Sequence, residues 1–276
     1  SDDVLDALDA MQFEECTPIQ EKAIGVVLEG RDLIAVAQTG TGKTAAYLLP
    51  IINRLAEGDF PDDAINCIIM VPTHELAQQI DRQLEGFSYY LSISSVAIHG
   101  GTDGKEFARQ QQGLKLGADV VIATPGRLLA HMKMGYVDLS RVSCFVLDEA
   151  DRMLDMGFIH DVRRILDKIP NRKNLGMFSA TISREVIDIS WVYQRDPEEI
   201  TVQATKENKP DILQYRLEVP SDGKVDAIAK ILAHENYDRV ICFCNTKGST
   251  ERLTKFLQMR GVDAQCIHGD IPQRKR

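Results

Sequence analysis

Asp148, Glu149 and Asp151 follow directly on the apolar run at 142–147 (VSCFVL). A buried strand that ends in three carboxylates is an odd arrangement unless the charges bind something. Open α/β sheets bind ligands outside the carboxyl ends of their strands. Carboxylates placed there can hold a hard cation such as Mg²⁺ and activate a water beside it. Earlier in the chain stands Ala37-Gln38-Thr39-Gly40-Thr41-Gly42-Lys43-Thr44, a phosphate-cradling pattern. Its glycines let backbone N–H groups approach phosphate oxygens, and the helix that follows adds its N-terminal dipole. Lys43 supplies a mobile cation, and the Thr44 hydroxyl is placed to reach Mg²⁺. The strict pattern opens on Gly, whereas here it opens on Ala37. The two segments together point to nucleotide hydrolysis.

The elements that must position these residues alternate. Apolar, strand-like runs lie at 32–37, 67–71, 95–98, 119–123, 142–147, 175–178 and 199–202. A first short amphipathic helix is expected over 4–11, and Thr17 with Pro18 caps and opens a second. Further helices are expected from 43 to about 56, from Thr73 to about 91, and after Thr124-Pro125-Gly126-Arg127. This alternation predicts an α/β doubly wound fold with a parallel sheet. Polar clusters follow strand after strand: Pro72-Thr73-His74, His99-Gly100-Gly101, Thr124 to Arg127, Ser179-Ala180-Thr181. Singly, each fits ordinary loop chemistry at a strand end. Their shared placement on one edge of one sheet is the signal.

The chain has 276 residues, 44% of them hydrophobic and 26% charged, which suits two packed domains. A net charge of −9 argues against binding of nucleic acid by bulk electrostatics but does not exclude a local basic groove. Six cysteines show no C-x-x-C metal spacing, and four lie inside apolar runs, as small buried hydrophobes do. No signal peptide and no apolar run of about 18 residues is visible, so a cytoplasmic protein without membrane contact is expected.

Residues 204–211 (ATKENKPD) read as a linker between a first domain, 1–203, and a second unit, 212–276. The second unit is expected to hold strands at 212–219, at 239–244 and up to 267, with helices over 224–234 and 249–258. The order strand, Thr, helix, strand, His-Gly occurs in both units, a weak internal similarity. About three strands are too few for an independent sheet, so the second domain is expected to be partial.

Phe13 with Gln20, residues 37–44, 72–79, Gly100-Gly101, 124–127, 148–151 and 179–181 resemble the ordered motifs of DEAD-box RNA helicases. The run at 148–158 (DEADRMLDMGF) carries the resemblance most specifically. Residues 241–246 and 273–276 resemble second-domain motifs, and the subgroup it looks most like is the bacterial ribosome-assembly and cold-stress type. The resemblance implies RecA-like domains that close on ATP and RNA, single-stranded or duplex, with local unwinding driven by ATP. It implies that Gln20 reads the adenine edge and Phe13 stacks on the ring. Thr39, Gly40, Thr41, Gly42, Lys43, Thr44 and Ala45 would hold the nucleotide, with Thr44 and Asp148 on Mg²⁺. Glu149 would deprotonate the attacking water, and Asp151, Ser179 and Thr181 would couple nucleotide state to closure. RNA would lie on Pro72, Thr73, Gly101, Thr124, Arg127, Asn245, Thr246, Gln273 and Arg276, through phosphate and 2′-OH groups and without sequence preference. Ribonucleoprotein or ribosome-assembly partners are the corresponding expectation.

Three departures stand out. His74 occupies a position where the family usually has Arg, an upstream aromatic is missing, and the Arg-rich motif expected beyond 276 is absent. The chain by itself is therefore expected to bind ATP, hydrolyse it poorly and not unwind RNA, since arginine fingers contribute roughly 10³–10⁵ in rate. Two other readings compete: a non-hydrolysing nucleotide-dependent clamp on RNA or protein, and a DNA translocase. Intact Lys43, Asp148 and Glu149 argue against the first.

Overall fold

The computed structural model describes residues 1–276 apart from 59, 102–103, 170, 204–211, 235–236, 272–274 and 276. The expected linker at 204–211 and the RNA candidates Gln273 and Arg276 lie outside the described residues. The chain divides into two compact units, Ser1–Lys209 and Pro210–Arg276.

The first unit is built on seven short strands: β1 (Leu33–Val36), β2 (Cys67–Met70), β3 (Ser95–Ile98), β4 (Val120–Ala123), β5 (Cys144–Asp148), β6 (Asn174–Ser179) and β7 (Glu198–Thr201). All pair in parallel, in the order β3-β4-β2-β5-β6-β1-β7. Every expected strand of this unit is present, within two residues at either end.

The strand runs are almost wholly apolar because helices cover both faces. Alternate residues point opposite ways. Leu33, Cys67, Ile69, Val120, Ile122, Val146 and Phe178 pack with α1 (Asp2–Ala10), α2 (Pro18–Leu28), α3 (Lys43–Glu57) and α4 (His74–Phe87). Ile68, Met70, Val121, Phe145, Leu147 and Leu175 pack with α5 (Gly104–Leu116), α6 (Pro125–Lys133), α7 (Ala150–Asp155), α8 (Ile159–Leu166) and α9 (Arg184–Tyr193).

Register decides what the carboxyl edge presents. Val36 pairs with Ser179, Phe178 with Asp148, Met70 with Ala123, and Ala123 with Ile98. With Met70 opposite Leu147, these six strands end within two residues of one another, and the polar segments after them share one rim.

The second unit corrects one expectation. Its helices α10 (Lys224–His234) and α11 (Lys247–Met259) pack through Ala229, Leu253 and Leu257. Among the described residues it has no strand: the segments expected at 212–219, at 239–244 and before 267 form no ladder. An apolar run can favour extended backbone, but a strand also needs a neighbour to take its N–H and C=O groups. Here Ile241 and Phe243 are 79% and 94% exposed, so neither a ladder nor a covering layer forms.

Candidate functional site

Local sequence builds the phosphate loop. β1 ends at Val36 and α3 begins at Lys43, and Gly42 caps that helix in the left-handed region at φ 89°. A Cβ there would come within 2.5 Å of Gln20 Nε2, so position 42 needs glycine both for its backbone and for space. Gln20 braces the loop from α2. Its Oε1 accepts from the Thr17 backbone at 2.9 Å and its Nε2 donates to the Gly42 carbonyl at 3.1 Å. The carboxamide keeps one N–H and one lone pair for a ligand.

Lys43 is buried, and its Nζ donates to the Ala37 carbonyl, to Gln38 O at 3.3 Å and to Ser179 O at 3.5 Å. Burial lowers its pKa, against the attraction of Asp148, Asp151 and Glu149. An ammonium with only carbonyl partners in reach, facing carboxylates, is arranged to take anionic oxygens.

At the end of β5 the buried Asp148 accepts from Tyr47 Oη at 2.7 Å and from the Glu149 backbone at 2.8 Å. Burial pushes its carboxyl pKa up, against those two hydrogen bonds and the Lys43 charge. Glu149 turns the chain into α7 with φ 49° and ψ 47°, a left-handed conformation that costs a non-glycine residue about 1–2 kcal/mol. The turn sets its carboxylate on the cleft wall, where Arg152 holds it at 3.0 Å. Asp151 points the other way, to β6. Thr181 donates to its Oδ2 from both backbone and hydroxyl, at 2.9 and 2.7 Å, while its own N–H donates to Ser179 Oγ at 3.1 Å. Burial alone raises the Asp151 carboxyl, but hydrogen bonds from Thr181, Ser179 and Arg152 outweigh it and lower its pKa.

These segments enclose a cleft of about 420 Å³. Phe13, Gln20, Thr39, Gly40, Gly42, Lys43, Thr44, Ala45, Asp148 and Glu149 all line it. Thr41 does not: its hydroxyl donates to Gln38 O at 2.8 Å. Ser179 and Thr181 stand behind the wall, on Asp151. The cleft also has a wall absent from the sequence reading, the α4 residues Leu76, Gln79, Gln83 and Phe87. Their spacing marks one face of a helix and was legible as such. Phe87 meets Phe13 edge-on at 5.5 Å. The volume lies in the usual range for small-ligand pockets, roughly 300–1,000 Å³. Hydroxyl and carboxylate oxygens beside a buried ammonium match a nucleotide polyphosphate with a hard cation, so the donor set fits Mg²⁺ and ATP.

The remaining candidates follow β2, β3 and β4. Pro72 is buried, and Thr73 caps α4 by accepting from Leu76 N at 3.3 Å. Gly101 is exposed with φ 73°. Thr124 caps α6, and its N–H donates to Ile98 O at 2.9 Å. Arg127 donates from Nε to His99 O at 3.0 Å and lies over the Phe107 ring at 4.9 Å. His74 stacks on His99 at 5.1 Å, with Glu75 3.4 Å from its Nδ1. Asn245 and Thr246 are exposed in the second unit, where Thr246 caps α11. No helix among the described residues is long and apolar enough to cross a membrane.

Comparison with known proteins agrees with this geometry. The sequence model described as DEAD/DEAH box helicase matches residues 17–189, and the one described as helicase conserved C-terminal domain matches 223–276. The chain is 39% identical over 273 residues to the ATP-dependent RNA helicase CshA of Listeria monocytogenes, covering 99% of this chain and 51% of that protein. It is 39% identical over 274 residues to the ATP-dependent RNA helicase DeaD of Mycobacterium tuberculosis, covering 99% and 47%. The chain thus spans about half the length of the curated relatives it matches. A crystal structure of a DEAD box protein from the hyperthermophile Methanococcus jannaschii superposes with a TM-score of 0.68 at 35% identity, covering 99% of this chain and 72% of that one. Matched from the phosphate loop through the Asp148–Asp151 turn to Thr181, the chain belongs to the DEAD/DEAH box helicase family.

Proposed function

We propose that the protein is an ATP-dependent RNA helicase whose first unit binds magnesium–ATP in the cleft at the ends of β1 and β5. The observation that carries this is the meeting of Lys43, Thr44, Asp148 and Glu149 on one cleft wall. A bound magnesium nucleotide supplies the phosphoanhydride bond and a hard cation beside it. Lys43 would neutralise the outer phosphates, and Thr44 and Asp148 would supply oxygens to hold the cation. Glu149 orients a water and takes its proton. Phe13 and Gln20 hold the base. Asp151, Ser179 and Thr181 tie the turn after β5 to the turn after β6, so a change at the carboxylates is felt at both.

RNA lies on the other half of the same rim, along Pro72, Thr73, Gly101, Thr124 and Arg127; the candidates of the second unit are Asn245, Thr246, Gln273 and Arg276. Hydroxyls, backbone N–H groups and an arginine read phosphate and 2′-OH, not base edges, so binding is independent of sequence. Backbone recognition of this kind suits structured RNA in ribonucleoprotein particles, ribosome precursors included. The proposal sets the protein in the cytoplasm, where its free cysteines stay reduced.

Among the described residues lining the cleft there is no arginine, and Lys43 is the one cation. Turnover by this chain alone is therefore slow, since an arginine finger contributes about 10³–10⁵ in related reactions.

Steady-state phosphate release with single-stranded RNA, with DNA of the same sequence and with neither tests the proposal. The expected result is slow turnover, raised by RNA and lowered about 10²–10⁴-fold from the RNA-stimulated rate in Glu149→Gln. Equal stimulation by DNA contradicts the RNA assignment. Tight binding of ATP and RNA without any turnover replaces the helicase by a clamp.

A further inference from the structure

Tyr47 belongs to none of the motifs, yet its hydroxyl ends on the carboxylate at the centre of the site. It lies on α3, one turn after Lys43 and Thr44, fully buried, with its ring 4.9 Å from that of Phe178. Its Oη donates to Asp148 Oδ2 at 2.7 Å. The other carboxylate oxygen, Oδ1, accepts from the Glu149 backbone at 2.8 Å. Both Asp148 oxygens are therefore fixed by one donor each. Each retains a lone pair for a cation-bound water.

From this geometry we infer that Tyr47 is a positioning residue for the divalent cation: it locks the Asp148 carboxylate. The inference rests on the magnesium–nucleotide reading above. Groups that orient metal ligands by hydrogen bonding typically contribute about 10–100-fold to metal affinity. A tyrosine kept only to fill the core would contribute nothing there, because phenylalanine fills the same space against Phe178.

Tyr47→Phe separates the two roles. The 276-residue chain is titrated by calorimetry with a non-hydrolysable ATP analogue over a series of Mg²⁺ concentrations and in a chelator. The variant is expected to keep its metal-free nucleotide affinity within about twofold while needing about tenfold more Mg²⁺ for half of the metal-dependent gain. In an Asp148→Asn background, Tyr47→Phe is expected to change the Mg²⁺ midpoint no further, since the group it positions is gone. An unchanged midpoint in Tyr47→Phe, with magnesium-dependent binding intact in the parent, overturns the role of Tyr47 alone. No nucleotide binding by the parent at any Mg²⁺ concentration overturns the nucleotide reading and the Tyr47 role with it.

Discussion

The rim of the sheet has two halves that solve different problems. After β1, β5 and β6 the chain buries charge: Lys43, Asp148 and Asp151 are 7%, 3% and 9% exposed. Each is held by several partners, because a buried charge without them is expensive. After β2, β3 and β4 the candidates are caps and turns. Thr73 and Thr124 start helices, Gly101 supplies a left-handed turn, and Arg127 donates to a backbone carbonyl and lies over the Phe107 ring. Under the proposed function, a nucleotide half must be assembled around its ligand, whereas a backbone-reading half needs only donors at the right height on a rigid edge. The difference is expected to show in how far each position tolerates change.

Substitutions sharpen the contrast. Lys43→Ala leaves the cleft carboxylates Asp148 and Glu149 without their cation and is expected to cost about 2–5 kcal/mol of nucleotide affinity, read by calorimetry. Asp151→Asn replaces the charged acceptor of the Thr181 hydrogen bonds by a neutral amide oxygen. Its ionised form is favoured in the fold, so its stabilisation is complete above the ordinary carboxylate range, near pH 4, and fades as pH falls through the lowered native value. Chemical denaturation of the asparagine variant is expected to show a deficit of about 1–3 kcal/mol at pH 7 that shrinks below about pH 4. If the deficit is independent of pH, the Asp151–Thr181 bond is not charge-assisted. On the other half, Arg127→Ala is expected to weaken single-stranded RNA binding alike for all sequences and to reduce the salt slope of that binding by about one. A sequence-dependent loss contradicts backbone readout. Smallest of all, Thr246→Ala removes a cap that accepts from Ser249 N at 3.1 Å and is expected to lower second-unit stability by about 1 kcal/mol, with nucleotide affinity unchanged.

The same contrast explains what could be read from the sequence. Buried charges require fixed partners, so residues 37–44 and 148–151 form long patterns that name their chemistry. Thr73, Gly101 and Thr124 do what threonines and glycines do at any strand end, and only their alignment on one rim distinguishes them. Helix α5 was missed because residues 104–116 are polar, with Gln110 and Leu114 the buried positions. Tyr47 was missed for the opposite reason. It sits on an apolar helix face, where a ring reads as core, and only the 2.7 Å contact with Asp148 shows its hydroxyl to be engaged. The strands expected in the second unit failed on pairing: composition marks residues that can extend, and a ladder requires neighbours that composition does not supply.

The division of the rim is tested most directly by titrating one variant, Lys43→Ala, with both ligands: magnesium with a non-hydrolysable ATP analogue, and single-stranded RNA in the absence of nucleotide. The account predicts that nucleotide binding is lost while RNA binding stays within about twofold of the parent, because Lys43 serves one half alone. Nucleotide binding at parental affinity, or a parallel loss of both ligands, would contradict it.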